Sequence, residues 1–220
     1  MNIIKSAFVF AVCFLCAGLS SGQNFNGNSA YPMEFSIYGG VSSSDTEKEV
    51  NGVKADFGGG GFSAGFTGLG FINDYFAAGL DFSYSNDGYG KSVDLGGTDT
   101  DFRLERYRPL FLTKVYFLPP AKSKISLYAP LGVGLEFARI SKRESNNNDD
   151  KLYDTLAGFA LTAGLGAEFN FRNNTFIAFE GRYNWARFIG SNDYDITHAG
   201  GFSGAVKLGM RFNSYYDFWD

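Results

Sequence analysis

Histidine, the commonest general base, occurs once in this chain. The single histidine, His198, stands in Ile196-Thr197-His198-Ala199-Gly200, with Ser191, Asp193, Asp195 and Ser203 close by in sequence. A base, a nucleophile and a carboxylate are the materials of acyl transfer. That chemistry needs the base within hydrogen-bond reach of the nucleophile and a third group to orient it. These residues invite that reading without meeting its geometry, so His198 is read as a solvated loop residue and no catalytic residue is assigned. Gly58-Gly59-Gly60-Gly61-Phe62-Ser63-Ala64 looks like a phosphate cradle, but that mechanism requires a helix next and here a strand pattern follows. The run reads instead as a flexible or bulged strand opening. Asn146-Asn147-Asn148-Asp149-Asp150 and the acids Asp94, Asp99 and Asp101 offer oxygen ligands without the spacing of a calcium loop, and read as solvated loop. No metal and no cofactor is expected.

More informative are ten charged residues embedded in otherwise alternating segments: Glu34, Asp81, Glu136, Glu168 and Glu180, with Arg108, Lys114, Arg182, Lys207 and Arg211. Each falls on the polar parity of a segment whose other parity is apolar. Acids facing acids would suggest glycoside hydrolysis, but the equal number of bases makes structural pairing the simpler account.

The segments that must position them number eight. Strand one covers about 33–41, with Phe35, Ile37 and Val41 on one face and Glu34, Ser36 and Tyr38 on the other. Strand two, 59–71, opposes Phe62, Ala64 and Phe66 to Ser63, Gly65 and Thr67. Strand three is 75–85, strand four 102–118, strand five 125–140, strand six 155–171, strand seven 176–189 and strand eight 201–213, all with the same alternation. The connectors alternate between short turns (Asn73-Asp74, 119–124, 172–175) and long polar loops (42–56, 86–101, 141–154, 190–200). An even number of strands, short turns at one rim and long loops at the other describe an up-and-down transmembrane barrel with both termini on the periplasmic side. In that geometry the apolar parity faces lipid and the charges face the lumen. Phe71, Tyr75, Phe76, Phe117, Phe171 and Phe176 are expected to form the periplasmic aromatic girdle, and Tyr84, Phe137 and Trp185 the outer one. The opposite arrangement, a soluble lipocalin-like barrel, would bury the apolar parity.

Composition agrees with a lipid-facing sheet: 24 Phe, 13 Tyr and 29 Gly against 5 Pro. Beyond the N-terminus no apolar run is long enough for a membrane helix. Residues 1–22 read as a cleaved signal peptide, with Lys5 in the n-region, an apolar core over 7–19 and the small residues Ser20-Ser21-Gly22 before the cut. Cys13 and Cys16 both lie in that segment, follow Val12 and Leu15 instead of small residues, and leave a mature chain with no thiol. The domain is therefore placed at 23–213, with a short aromatic tail at 214–220. A net charge of −4 supplies no basic footprint, and no nucleic acid is expected as a partner.

Arg108-Pro109-Leu110-Phe111-Leu112-Thr113-Lys114-Val115-Tyr116-Phe117, a turn, and then Leu127-Tyr128-Ala129-Pro130-Leu131-Gly132-Val133-Gly134 resemble the small outer-membrane β-barrel (porin-like) families. Those families carry a Pro-Leu-rich strand ending in Tyr-Phe, then a Tyr-x-x-x-Gly-x-Gly strand. The resemblance implies an eight-stranded, all-β, antiparallel barrel in a bacterial outer membrane. Its surroundings would be outer-membrane lipid and lipopolysaccharide, and the barrel assembly machinery would insert it. The expected role is a non-enzymatic one, in envelope integrity or in surface adhesion through four extracellular loops, around a lumen plugged by paired charges. Two alternatives stay open. A small gated pore would conduct ions or small solutes through the charged lumen. A lipid A-modifying enzyme would use His198, although the deacylase pattern places its histidine and serine almost together on one strand.

Overall fold

The computed structural model describes residues 33–45, 47–50, 53–56, 59–89, 93–94, 99–144, 147–171, 174–189 and 197–212. The assigned signal peptide and aromatic tail lie outside them, as do Ser191, Asp193 and Asp195. Eight long strands are β1 (Met33–Ser43), β2 (Gly60–Asn73), β3 (Phe76–Tyr89), β4 (Asp99–Tyr116), β5 (Ile125–Glu144), β6 (Asn147–Asn170), β7 (Thr175–Ile189) and β8 (His198–Phe212). Each pairs antiparallel with the next. β1 also pairs with β8, from Met33↔Phe212 to Ser42↔Ser203, which closes the sheet into a barrel without an edge. A small hairpin, Glu47–Val50 with Val53–Asp56, lies in the β1–β2 connection, and Val93–Asp94 adds to the start of β4.

The period-2 pattern dictates this closure. Phe35, Ile37, Phe62, Phe66, Phe111, Leu131, Leu165, Phe179, Phe202 and Leu208 are among many large apolar side chains left exposed on the outside. A water-soluble protein does not leave so continuous an apolar surface uncovered, so the lipocalin-like alternative is excluded. On β5 the outward positions from Leu127 to Phe137 are all apolar, and Arg139 follows. Ten positions at ~3.3 Å each, tilted by ~40°, give a band of about 25 Å, the height of an outer-membrane hydrocarbon layer. Tyr75, Phe76, Phe117 and Phe171 rim its turn end, and Tyr84, Tyr107, Phe137, Tyr183 and Phe202 its loop end.

The turns are built locally. Asn73 Oδ1 accepts from the backbone N–H of Tyr75 (2.8 Å) and Phe76 (3.0 Å). Asn174 adopts φ 60°, a left-handed conformation that asparagine tolerates. In the 117–124 turn, Lys122 N donates to Pro119 O and the exposed Lys122 Nζ lies 2.7 Å from Asp74 Oδ2, which raises the pKa of the lysine.

Inside, three large aromatics face a glycine on the neighbouring strand in direct register: Tyr38↔Gly65, Tyr128↔Gly166 and Phe176↔Gly209. A Cβ at any of these glycines would run into the opposing ring. Inward glycine is thus the space into which a ring lies.

Several sequence expectations need correction. Phe71 and Phe176 point inward and are buried, not part of a girdle. Parity runs unbroken through β2 to Phe71, and the register shifts only beyond it. The 141–154 segment is mostly ladder: β5 continues to Glu144, β6 begins at Asn147, and these two residues are partners. Backbone pairing does not require apolar side chains, so a polar composition concealed it. β3 likewise runs on to Tyr89, and β8 starts at His198 instead of residue 201.

Candidate functional site

The inward parity forms three tiers of charge. Nearest the turns, Lys114 Nζ lies 2.5 Å from Glu34 Oε1 and 2.7 Å from Glu168 Oε1. Arg211 reaches the other oxygen of each carboxylate, donating from Nε to Glu34 Oε2 at 3.0 Å and from Nη2 to Glu168 Oε2. Tyr116 donates to Glu34 Oε2 at 3.1 Å, and Arg211 Nη1 to Asn170 Oδ1 at 2.6 Å. The Tyr128 ring stands 4.4 Å from the ammonium and the Phe176 ring 4.3 Å from the guanidinium, giving both cations an aromatic face.

In the middle tier Arg182 makes a two-pronged contact with Asp81, at 2.9 and 3.2 Å, and its Nε donates to Glu180 Oε1 at 2.5 Å. Lys207 Nζ lies 3.0 Å from the same Oε1, while Tyr128 donates to Oε2 at 2.8 Å. Thr67 and Tyr38 donate to the two oxygens of Asp81. Toward the loops, Arg108 Nε lies 2.8 Å from Glu136 Oε2 and Arg106 Nη2 lies 2.6 Å from Asp87 Oδ2. Ser42 donates to Asp87 Oδ1 at 2.7 Å and Arg108 to Ser85 Oγ at 3.0 Å. This tier is looser: the Nε atoms of Arg106 and Arg108 and both oxygens of Glu136 sit at ion-pair distance without hydrogen-bond alignment.

The ten charges singled out in the sequence are all buried inside the barrel, and each lies in one of these tiers. Two partners were missed, Arg106 and Asp87. Arg106 shares the parity of Arg108 and could have been added on that ground. Asp87 needed strand three to be continued past Ser85, along the inward series 81, 83, 85, 87. With them the described interior holds six acids (Glu34, Asp81, Asp87, Glu136, Glu168, Glu180) and six bases (Arg106, Arg108, Lys114, Arg182, Lys207, Arg211), a formal charge of zero. Isolated charges in such an interior would each cost several kcal/mol.

Two clusters of buried apolar side chains flank the charges. Leu69, Phe71 and Leu112 lie toward the turns, and Phe102, Leu104, Ile140, Leu156 and Phe188 toward the loops. Between the middle and upper tiers is a cavity of about 20 Å³ lined by Tyr38, Ser63, Ser83, Arg108, Arg182 and Asn184. That is room for one water and no larger solute.

His198 faces outward on β8 beside Arg187 of β7, with Nδ1 3.3 Å from Thr197 Oγ1. Ser203 sits on the opposite, inward face, where it accepts from Asn184 Nδ2 at 3.0 Å. Those two residues of the sequence constellation are therefore not brought together. The backbone of Asp94, Asp99 and Asp101 and of residues 147–150 is strand, while Asn146 lies outside the described residues. No three His, Cys, Asp or Glu side chains converge as metal ligands among the described residues.

The family described as Outer membrane protein beta-barrel domain matches residues 12–212, nearly the whole chain. The chain belongs to this family. No curated protein matches it in sequence. Among solved structures, OprG of Pseudomonas aeruginosa, an outer-membrane protein, is similar over 84% of this chain and 99% of its own, with 14% identity and a TM-score of 0.53. Neisserial surface protein A covers 81% of this chain and 97% of its own at 18% identity and TM-score 0.46. Ail, the attachment invasion locus protein of Yersinia pestis, solved with the heparin analogue sucrose octasulfate, covers 81% and 99% at 19% identity and TM-score 0.47. Family membership and the closed eight-stranded fold place this protein among bacterial outer-membrane barrels.

Proposed function

We propose that this protein is a non-enzymatic surface protein of the outer membrane, exported by its N-terminal segment. Its lumen is plugged, and it serves envelope integrity or adhesion through its extracellular side. The observation that carries the reading is the described interior: a charge-neutral lattice of ion pairs flanked by apolar clusters, with a water-sized cavity between its tiers. A solute path would require separating Arg182 from Asp81 and Lys114 from both of its glutamates. Function then falls to the exposed rim, where loops carried on a rigid scaffold bind partners. The scaffold is tall there. The β6–β7 ladder ends at Ile189↔Ala157, but β6 with β5 continues ten positions further, about 33 Å along the strand.

Two measurements test this. In planar bilayers the purified protein should give no conductance steps; steps that change on Glu136→Gln would establish the pore instead. Replacing residues 142–151 by a short turn should leave the boiling-dependent gel shift of a closed barrel intact. The same replacement should reduce adherence of expressing bacteria to cultured epithelial cells, and unchanged adherence would sink the adhesion reading.

A further inference from the structure

The outer wall carries a groove that the interior does not explain. It has a volume of about 600 Å³, crosses β4 to β7, and is lined by Phe111, Leu131, Val133, Leu161, Tyr183 and Trp185. Its origin is legible in the register. Thr113, Leu131, Ala163 and Tyr183 form one outward row, and Phe111, Val133, Leu161 and Trp185 the row above. Small residues at 113 and 163 between large neighbours leave a hollow in an otherwise even apolar surface. At this depth in the bilayer an apolar groove is filled by an acyl chain.

The head end of the groove is charged. Two positions beyond Trp185 on the same outward face is Arg187, and opposite it in register is His198, both exposed and without an ion pair among the described residues. This is the loop rim, so the leaflet is the outer one. One described acid on this face is Asp45, set against Tyr183 and Gly200. Its carboxylate accepts from the Tyr183 hydroxyl at 3.2 Å and packs over Gly200, and its N–H donates to Gly200 O, so that acid is already engaged. Further round the rim Glu105 is paired with Arg103 at 3.1 Å and faces Arg139.

We propose that this outer face holds one phosphate-bearing lipid of the outer leaflet, its phosphate against Arg187 and His198 and an acyl chain in the groove below Trp185. The inference goes beyond the proposed function and needs only the outer-membrane placement, so it can fail while the plugged-lumen reading stands. The test uses Trp185 as reporter in a Trp219→Phe protein reconstituted into bilayers containing either brominated-chain phosphatidic acid or brominated-chain phosphatidylcholine. The anionic lipid should reach half-maximal quenching at about fivefold lower mole fraction, the equivalent of about 1 kcal/mol for one basic residue at a membrane surface. In Arg187→Gln combined with His198→Asn the two lipids should quench alike. Equal quenching in the unsubstituted rim, or a preference that survives the double substitution, would overturn the site. Both residues are exposed, and heat-modifiable migration verifies that the variants fold.

Discussion

Lys114 is the cation on which the turn-side tier depends, and Lys114→Met isolates its contribution. Methionine keeps the length and volume of the stem and removes the ammonium. Fully buried Nζ contacts to Glu34 and Glu168, at 2.5 and 2.7 Å, are lost together with the Tyr128 ring contact at 4.4 Å. Arg211 then stands alone between two carboxylates, and the described interior goes from neutral to −1. Removing one partner of a buried ion pair costs about 3–5 kcal/mol, because the charge left behind is desolvated and uncompensated. At ~1.4 kcal/mol per tenfold, the folding equilibrium should shift by between two and four powers of ten. Reversible urea unfolding of the refolded Trp219→Phe barrel in lipid, read by Trp185 emission, measures this directly. A second substitution gives the reasoning its control. Glu168→Gln added to Lys114→Met restores neutrality and should recover a large part of the loss, so the pair is strongly non-additive. A loss below about 1 kcal/mol, or an additive double variant, would refute the claim that charge balance holds the interior together.

Gly166→Ala drives a methyl into the Tyr128 ring and should destabilise by about 1–3 kcal/mol. Gly181→Ala, on the outer wall with no atom near its added methyl, should be neutral or slightly stabilising, since alanine loses less backbone entropy than glycine; comparing the two denaturation curves decides both. His198→Ala should leave the mass of lipid A unchanged in expressing cells, and a mass change dependent on His198 would establish the enzyme reading. Lys122→Ala should leave the urea midpoint where it is, because its pair with Asp74 is exposed and screened by solvent. The pKa of Lys122 is raised in the fold. Its contribution is therefore fully present below the unfolded lysine pKa and is lost only as the pH rises through the folded one, so a titration from pH 6 to 9 should show no transition from this pair.

Much of the architecture was legible from one fact, the period of two. In a closed sheet each residue faces lipid or lumen. Phe35, Phe66, Leu131 and Val206 on one parity, and Glu34, Thr67, Gly132 and Lys207 on the other, reveal both faces without any knowledge of neighbours. Asparagine at 73 and 174 and the proline pair at 119–120 mark the short connections for similarly local reasons. Where the ladder continued into polar sequence, at residues 86–89 and 141–154, composition misled, because strand pairing there is made by the backbone and by the neighbouring strand.

Sequence by itself also placed acids and bases together on the lumen parity, which calls for their pairing. Only the tertiary structure decided who meets whom. Glu34 and Lys114 are 80 residues apart, and Asp81 and Arg182 101 apart, yet each pair is in hydrogen-bond contact. Such partners depend on shear and tilt, which set the height at which each strand presents its residues to the lumen. The same stagger places Tyr128 over Gly166, and Arg187 and His198 above a lipid-facing groove. Parity is a property of each strand alone, whereas height around a closed barrel belongs to all eight at once.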